Sequence, residues 1–214
     1  MKYFIFLSLL FISCTNLYSD IENNSSFFKA VYNGDLRLVE KFLDSGTNIN
    51  IKDSSGRTAL MIATYNNDVN MVDMLVGRGA DVNIQDNILN SPFLYAGASG
   101  YLDIVKLTYK NADTRNVLNR YGGNALIPAC EKGHYDTVKF LLENTDIDVN
   151  LINNLGWTAL LEVTILGRDG DNYVKIVELL LKHGANKDIR DKNSKTALDY
   201  ARERKLRKIE SLLR

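Results

Sequence analysis

The side chains that could carry out chemistry in this 214-residue chain are few, because it holds only two cysteines and two histidines. Nucleophilic catalysis needs a serine or cysteine that a histidine activates and a carboxylate supports. Neither His134 nor His183 lies in a familiar local signature of that kind, and no glycine-rich phosphate-binding loop is present. Each histidine adjoins a glycine, at an expected turn or helix end. The sequence therefore predicts a protein that is not an enzyme.

One segment offers oxygen atoms that could bind a metal ion. Asp169, Asp171 and Asn172 lie close together in a stretch with two glycines, and carboxylate and amide oxygens are ligands for Ca²⁺. A calcium loop of the EF type that began at Asp169 would need a carboxylate at its twelfth position, which is Leu180. We therefore expect an ordinary inter-helix loop and predict no metal ion and no cofactor.

The residues around Cys14 predict a different chemistry, lipid attachment. Lys2 precedes an apolar run at residues 3–12 that only Ser8 interrupts, and this run is shorter than the roughly 20 residues of a membrane-spanning helix. Such a run is typical of a secretory signal peptide. The residues from Phe11 to Cys14 resemble the lipobox of bacterial lipoproteins, whose cysteine is acylated and becomes the new N terminus. The usual pattern has leucine in the place of Phe11.

This resemblance implies a signal peptide at residues 1–13, a membrane anchor at Cys14 and a polar tether at residues 14–23. The alternative is that a signal peptidase cuts near Ser19, so that residues 1–19 are removed together with Cys14. Both alternatives place the mature protein outside the cytoplasm, either anchored to a bacterial membrane or free in the periplasm or medium. Cys130 would then be the only cysteine of the mature protein whose thiol is neither acylated nor removed. We expect it to be buried and inert, without a disulfide bond.

An internal repeat organises the rest of the chain. A motif of a capping residue, a small residue and an apolar residue recurs at intervals of 33, 33, 34 and 38 residues, starting at Thr58, Ser91, Asn124, Thr158 and Thr196. A second apolar run at helical spacing follows each motif, and glycines or other turn residues separate the two runs. Repetition at this period predicts a solenoid of helix–turn–helix units.

The unit that begins at Asp53 closely resembles the ankyrin repeat, in its sequence Asp53-Ser54-Ser55-Gly56-Arg57-Thr58-Ala59-Leu60 and its later Gly79-Ala80-Asp81-Val82-Asn83. The resemblance runs from about Asn24 to Leu213. It implies an all-α ankyrin-repeat solenoid at residues 24–214, with β-turn or hairpin tips and about six repeats including two caps. We expect the units at residues 20–52, 53–85, 86–118, 119–152, 153–190 and 191–214.

Some positions depart from the repeat pattern. Leu89 and Ser194 replace the turn glycine, and Thr108 and Tyr109 stand where the third unit should have paired leucines, so we expect that unit to be the least regular. In the first cap, Ser25-Ser26 is the expected helix start. The apolar residues expected to be buried in this cap are Phe27, Ala30, Leu38, Val39, Phe42 and Leu43.

The charge balance argues against binding to nucleic acids. The chain has 26 basic and 26 acidic residues, a net charge of zero and an isoelectric point near 6.7. The C-terminal segment is basic, but it offers one aromatic residue, Tyr200, where nucleic-acid binding needs several for stacking. We expect this segment to be a solvated end cap.

The resemblance to ankyrin repeats implies a surface for protein partners, formed by the turn tips and the outer positions of the first helices. Trp, Tyr and Arg are enriched at binding hot spots, and apolar residues at tips have little core to join. Trp157 either contacts the partner or packs on its own turn, and both alternatives remain open. The predicted partner-binding residues are Arg57, Tyr65, Ile88, Arg120, Tyr121, Leu155, Trp157 and Ile165.

The sequence thus predicts a monomeric, exported protein that binds another protein of unknown identity. The alternative is an immunity- or inhibitor-type protein that blocks an extracytoplasmic enzyme or toxin through the same surface.

Overall fold

The computed structural model describes residues 22–214, which form twelve α-helices and contain no β-strand. Cys14 and the predicted signal peptide lie outside the described residues. Helix α1 covers residues 22–32. The other helices are α2 (Leu36–Asp44), α3 (Ala59–Tyr65), α4 (Val69–Gly77), α5 (Pro92–Ser99), α6 (Leu102–Thr108), α7 (Leu126–Glu131), α8 (Tyr135–Asn144), α9 (Ala159–Leu166), α10 (Asp171–Lys182), α11 (Ala197–Glu203) and α12 (Arg207–Leu213).

The helices stack in two layers, as the predicted solenoid requires. In the first layer α3 packs on α5, α5 on α7, α7 on α9 and α9 on α11. In the second layer each even-numbered helix from α2 to α12 packs on the next even-numbered one. The apolar core between the layers is continuous from Phe27 in α1 to Leu213 in α12. Each unit therefore buries its apolar surface against its neighbours, which confirms the all-α solenoid.

The repeated capping motif starts the first-layer helices as predicted. The side-chain oxygens of Thr58, Ser91, Thr158 and Thr196 each accept a hydrogen bond from the backbone N–H three residues later. Asn124 caps α7 in a similar way, accepting from Leu126 and Ile127 at 3.1 and 3.4 Å, although this helix begins one residue later than its counterparts.

Two expectations about the first cap are wrong. Helix α1 already includes residue 22, so Ser25 and Ser26 lie within it and do not start it. Leu38 is exposed on α2, whereas Val39 beside it is fully buried. Among the described residues the first unit has a neighbour on one side only, so an apolar residue on the opposite side of its helix has no described unit to pack against.

The third unit is irregular, as expected. Thr108 is buried at the end of α6, and its hydroxyl donates to the carbonyl oxygen of Ile104 at 2.8 Å. Such a bond competes with the regular helical pattern. The α-helix ends here, and the chain continues as a short 3₁₀ turn at Tyr109–Asn111.

The long loop before α10 and the basic C-terminal segment bind each other. The Asp169 carboxylate accepts from the backbone N–H groups of Lys208 and Ile209 at the start of α12, at 3.4 Å each. Lys208 also forms an ion pair with Asp171 at 2.9 Å. The loop therefore caps a helix of the next unit, and the C-terminal segment is tied to the fifth unit as well as solvated.

Candidate protein-binding surface

Five turn tips connect the units, and the same side-chain device shapes each of them. One Asp or Asn carboxyl or amide oxygen accepts from the backbone N–H groups two and four residues later, at 2.9 to 3.0 Å. A side chain that bonds its own backbone in this way fixes a turn. The residues that do so are Asp53, Asp86, Asn119, Asn153 and Asp191.

Because the five tips share one geometry, the residue two positions after each Asp or Asn occupies an equivalent place. These residues are Ser55, Ile88, Tyr121, Leu155 and Asn193. The three central ones are apolar, yet they are 52%, 50% and 45% exposed, in that order. We call Ile88, Tyr121 and Leu155 the tip row. The equivalent residues on either side of the row, Ser55 and Asn193, are polar, so the apolar row covers three units.

Hydrogen bonds between neighbouring tips hold the tip row in place. The Asn87 backbone N–H donates to the Ser55 carbonyl oxygen at 3.0 Å, and the Asn154 N–H donates to that of Tyr121 at 2.8 Å. The Lys192 ammonium continues the series by donating to the Asn154 carbonyl oxygen at 2.6 Å. Each tip of the row is therefore bonded to at least one neighbouring tip, which lowers the entropy lost when a partner binds.

A groove of about 500 Å³ lies beside the tip row and spans the third, fourth and fifth units. Tyr121 and Leu155 of the row contribute to its rim. Its other aromatic and aliphatic lining comes from Tyr95, Ile127, Pro128, Trp157 and Leu166. The polar lining includes Glu131, Lys132 and Glu162. An apolar groove with a few convergent polar groups is typical of a binding site.

Glu162 on α9 is the unusual residue of this groove. It is only 7% exposed, and its Oε2 atom is buried without a hydrogen-bond partner among the described residues. Burial and the nearby Glu131 carboxylate raise the pKa of Glu162 to about 7, while the Asn153 amide opposes part of this change. The groove therefore holds a carboxylate that gains or loses a proton near neutral pH.

The structure places the predicted partner-binding residues in different environments. Ile88, Tyr121 and Leu155 form the tip row, and the Arg120 guanidinium lies 4.8 Å from the centre of the Tyr121 ring. Trp157 lines the groove but is half-buried, with its backbone bonded to Asn153. Trp157 therefore both packs on its neighbours and lines the groove.

Arg57, Tyr65 and Ile165 lie outside this group. Arg57 pairs with Asp53 at 2.6 Å within its own turn. Burial acts to raise the pKa of the Asp53 carboxyl, but the hydrogen bonds from Arg57 and Ser55 hold it below its ordinary value. Ile165 is half-buried against the core.

Tyr65 connects two units. Its hydroxyl donates to the Asp86 carboxylate at 2.6 Å and lies 2.9 Å from the Asn90 amide. Burial and the bond to Asp86 raise the pKa of Tyr65 to about 12. Its ring also packs edge-to-face on Tyr95, with 4.4 Å between the ring centres. These contacts give Tyr65 a structural task in the stack.

The cysteine and the two histidines that could carry out chemistry lie in different parts of the fold. Cys130 is fully buried as expected, and burial raises the pKa of its thiol far above the ordinary value. His134 is half-buried at the start of α8, and burial followed by the Lys132 charge lowers its pKa. His183 ends α10, where its Nε2 atom is buried without a hydrogen-bond partner within residues 22–214.

Two kinds of feature are absent from residues 22–214. No group of three or more His, Cys, Asp or Glu side chains in this range is arranged to hold a metal ion. None of the helices in the same range is long and apolar enough to span a bilayer.

Sequence reasoning missed two features of this surface. The first is the Asp or Asn that shapes each tip, although its recurrence at the start of each turn was visible in the sequence. The second is Glu162, whose equivalents four residues after the other capping positions are Ile62, Tyr95, Pro128 and Tyr200. Aligning the units would have shown one acid in a column of apolar and aromatic residues.

Comparison with known proteins agrees with this architecture. A family model described as "Ankyrin repeats (3 copies)" matches residues 6–86, 27–117 and 93–191, so the chain belongs to the ankyrin repeat family. Proteins of this family are typically non-enzymatic modules that bind other proteins.

Three known proteins illustrate the similarity. The crystal structure of an ankyrin repeat domain, ABAYE2397 of Acinetobacter baumannii AYE, is 48% identical, with a TM-score of 0.85 over 89% of this chain and 96% of that one. The ankyrin repeat protein EF0377 is 42% identical, with a TM-score of 0.84 over 87% and 95%. YahD of Escherichia coli (strain K12) is named as an ankyrin repeat protein and is 48% identical over 69 residues. The match covers 32% of this chain and only 34% of YahD.

Proposed function

We propose that this protein is an exported, non-enzymatic binding module that is tethered to a bacterial membrane through Cys14 and docks one partner protein on the tip row and the adjoining groove. The observation that carries the docking surface is the tip row itself, in which three consecutive units expose Ile88, Tyr121 and Leu155 at the same position. Scattered apolar residues are normal on a protein surface, whereas a contiguous patch beside a groove indicates a binding site.

Leu89 supports this proposal through its backbone. It has a φ of 60°, as does Ser194, at the position where the other tips have a glycine. The left-handed conformation costs a non-glycine residue about 1 to 2 kcal/mol. Leu89 is also exposed beside Ile88, so its side chain contributes little to the core. An exposed leucine retained in a strained turn is more easily understood as a contact residue than as a folding residue.

The test of the surface is capture of the partner from an envelope extract by wild-type protein and by two matched variants. Leu155→Ser removes an exposed leucine from the tip row, and Leu38→Ser removes one of similar exposure from α2 in the other layer. We expect Leu155→Ser to lose the captured protein and Leu38→Ser to retain it, because truncating a binding anchor typically costs about 2 kcal/mol or more. Equal capture by both variants would exclude the tip row as the docking surface.

Tyr121→Ala is the second variant of this series. Tyr121 is half exposed, so this change should leave the fold intact. Trp157→Ala is less decisive, since Trp157 also packs on its neighbours. The identity of the captured protein distinguishes the general binding module from the inhibitor alternative, which requires an extracytoplasmic enzyme or toxin.

The membrane anchor has its own test. If Cys14 is acylated, the protein should incorporate radioactive palmitate and partition into detergent, and Cys14→Ser should abolish both. Cys130→Ser is the control, because its buried thiol should not accept a lipid. An unlabelled, water-soluble protein whose N terminus lies near Asp20 would refute the anchor and favour cleavage near Ser19.

A further inference from the structure

The groove contains a carboxylate that the repeat itself does not require. Glu162 occupies a position where the other units have Ile, Tyr, Pro and Tyr, so an acidic residue is not needed to build a unit of this chain. Its Oε2 atom is nevertheless buried and without a hydrogen-bond partner among the described residues. Burying a charged group without a partner is unfavourable, and such groups are normally paired.

Four cations of the surrounding elements are engaged elsewhere. On α7, the Lys132 ammonium donates to the Ala98 carbonyl oxygen at 2.9 Å. In the preceding tip, Arg120 lies over the Tyr121 ring. On the side of the sixth unit, Lys195 pairs with Glu203 at 2.8 Å, and Arg204 donates to the carbonyl oxygens of Thr164 and Gly167 at 2.9 Å each. Within residues 22–214, neither Glu131 nor Glu162 forms an ion pair.

The walls of the groove suit a long side chain with an apolar stem and a charged end. Tyr95, Tyr121 and Trp157 offer aromatic surface on which the methylene groups of a lysine or arginine can pack. Aromatic faces also attract a cation directly, and a carboxylate binds an ammonium or guanidinium group by charge-assisted hydrogen bonds. An acidic segment or a nucleic acid would instead bring negative charge towards Glu131 and Glu162.

We propose that the groove is a specificity pocket for one basic side chain, a lysine or arginine of the partner protein, whose cation pairs with the Glu162 carboxylate while its stem packs against Trp157. This inference rests on the proposed function, because it adds the chemistry of the partner to the same docking surface. It also explains why the central units combine an exposed apolar row with a buried acid. The row supplies contact area, and Glu162 selects the charge.

The experiment uses a random peptide library displayed on phage and selected against the full chain at pH 8. The selected peptides are then synthesised, and their dissociation constants are measured by the fluorescence of Trp157, which is the single tryptophan of the chain and lines the groove. We expect a lysine or arginine in each peptide that changes this fluorescence. Replacing that residue by norleucine should weaken binding about tenfold or more, the effect of removing a charge-assisted contact.

Protein variants locate the interaction. Glu162→Gln should weaken binding of the basic peptide about tenfold and should cause no further loss with the norleucine peptide, since both changes remove the same ion pair. Glu143→Gln is the matched control, because Glu143 is exposed on α8 in the second layer. It should leave binding unchanged.

The pH dependence is an independent readout. With a pKa of about 7, Glu162 is about ten times less ionised at pH 6 than at pH 8. Binding of a basic peptide should therefore weaken about tenfold over this range in the wild type and should not change in Glu162→Gln.

The outcomes separate this inference from the proposed function. If Leu155→Ser abolishes binding while Glu162→Gln and the norleucine peptide bind normally, the groove binds a partner but selects no cation, and this inference fails alone. If the selected peptides lack basic residues, or none changes the Trp157 fluorescence, the inference is also overturned. If Leu155→Ser has no effect on binding or on partner capture, the proposed function fails as well.

Discussion

Replacing Glu162 by glutamine should stabilise the protein at pH 8 and leave its stability unchanged near pH 4.5. In the folded protein, burial and the Glu131 carboxylate raise the pKa of Glu162 from the ordinary 4.5 to about 7. In the unfolded chain the same group titrates near 4.5. Between these values the folded state keeps a proton that the unfolded state has lost. The free energy of unfolding therefore falls as the pH rises from about 4.5 to 7, and the loss is complete above pH 7.

The size of the effect follows from the two pKa values. They differ by about 2.5, and a difference of one corresponds to 1.36 kcal/mol, which gives an upper figure of about 3 kcal/mol. Water that enters the groove screens part of this penalty, so we expect about 1 to 3 kcal/mol. Glutamine has nearly the same shape and no charge, and Glu162→Gln should therefore recover this amount at pH 8.

The assay is urea unfolding at pH 4.5, 6, 7 and 8, followed by circular dichroism. The wild type and Glu162→Gln should have equal stability at pH 4.5 and diverge progressively up to pH 8. Taking the difference between the two proteins removes the contributions of other titrating groups, and Glu143→Gln should follow the wild type throughout. A constant difference at all four pH values would refute the reasoning. So would a loss of stability in Glu162→Gln at pH 8, because it would mean that the charged carboxylate is stabilised within the folded chain.

Two further predictions concern the stack and its turns. Leu141→Ala should lower the free energy of unfolding by about 2 to 5 kcal/mol, because it leaves a cavity in a fully buried site between two units. Leu213→Ala in the terminal unit should cost less. Equal losses in denaturant unfolding would contradict a stack of nearest-neighbour contacts. Leu89→Gly should raise the free energy of unfolding by about 1 kcal/mol, because glycine adopts the positive φ without strain. Leu89→Ala keeps the Cβ atom and should gain nothing, so equal stability of the two Leu89 variants would show that the turn is not strained.

The fold was predictable because its determinants are local and repeated. Thr58, Ser91, Thr158 and Thr196 cap their helices by a bond to a residue only three positions away, and a spacing near 33 residues repeats that local signal. Even Asn124, which replaces Ser or Thr, does the same work through its amide oxygen. The irregular third unit could be predicted for the same reason, since Thr108 and Tyr109 depart from the repeat pattern at the end of one helix.

What the sequence did not show is the environment that other units create around a residue. Leu38 fits the apolar pattern of its helix but is exposed, and within residues 22–214 no unit packs before the first one. Tyr65, which remains a predicted contact residue, also bonds through its hydroxyl to Asp86 in the next unit, and the sequence did not show this bond. Glu162 lies on α9, which packs between α7 and α11, so its burial is visible only when the units are compared and not from the pattern of its own helix. Spacing along one helix shows which side of it is apolar, but it does not show what covers that side.

Three features that are unfavourable for folding lie near one another, and their proximity is an argument for function. Leu89 adopts a strained backbone conformation, the tip row exposes apolar surface, and the Oε2 atom of Glu162 is buried without a hydrogen-bond partner among the described residues. A single substitution that the repeat would accommodate could remove each feature. Glycine could replace Leu89, a polar residue could replace a member of the tip row, and glutamine could replace Glu162. All of them occur in the third to fifth units, on the tips or in the groove between them. Features that do not stabilise the folded chain are expected where binding provides the compensation, and under the proposed function a partner would bury the apolar row and supply the missing charge.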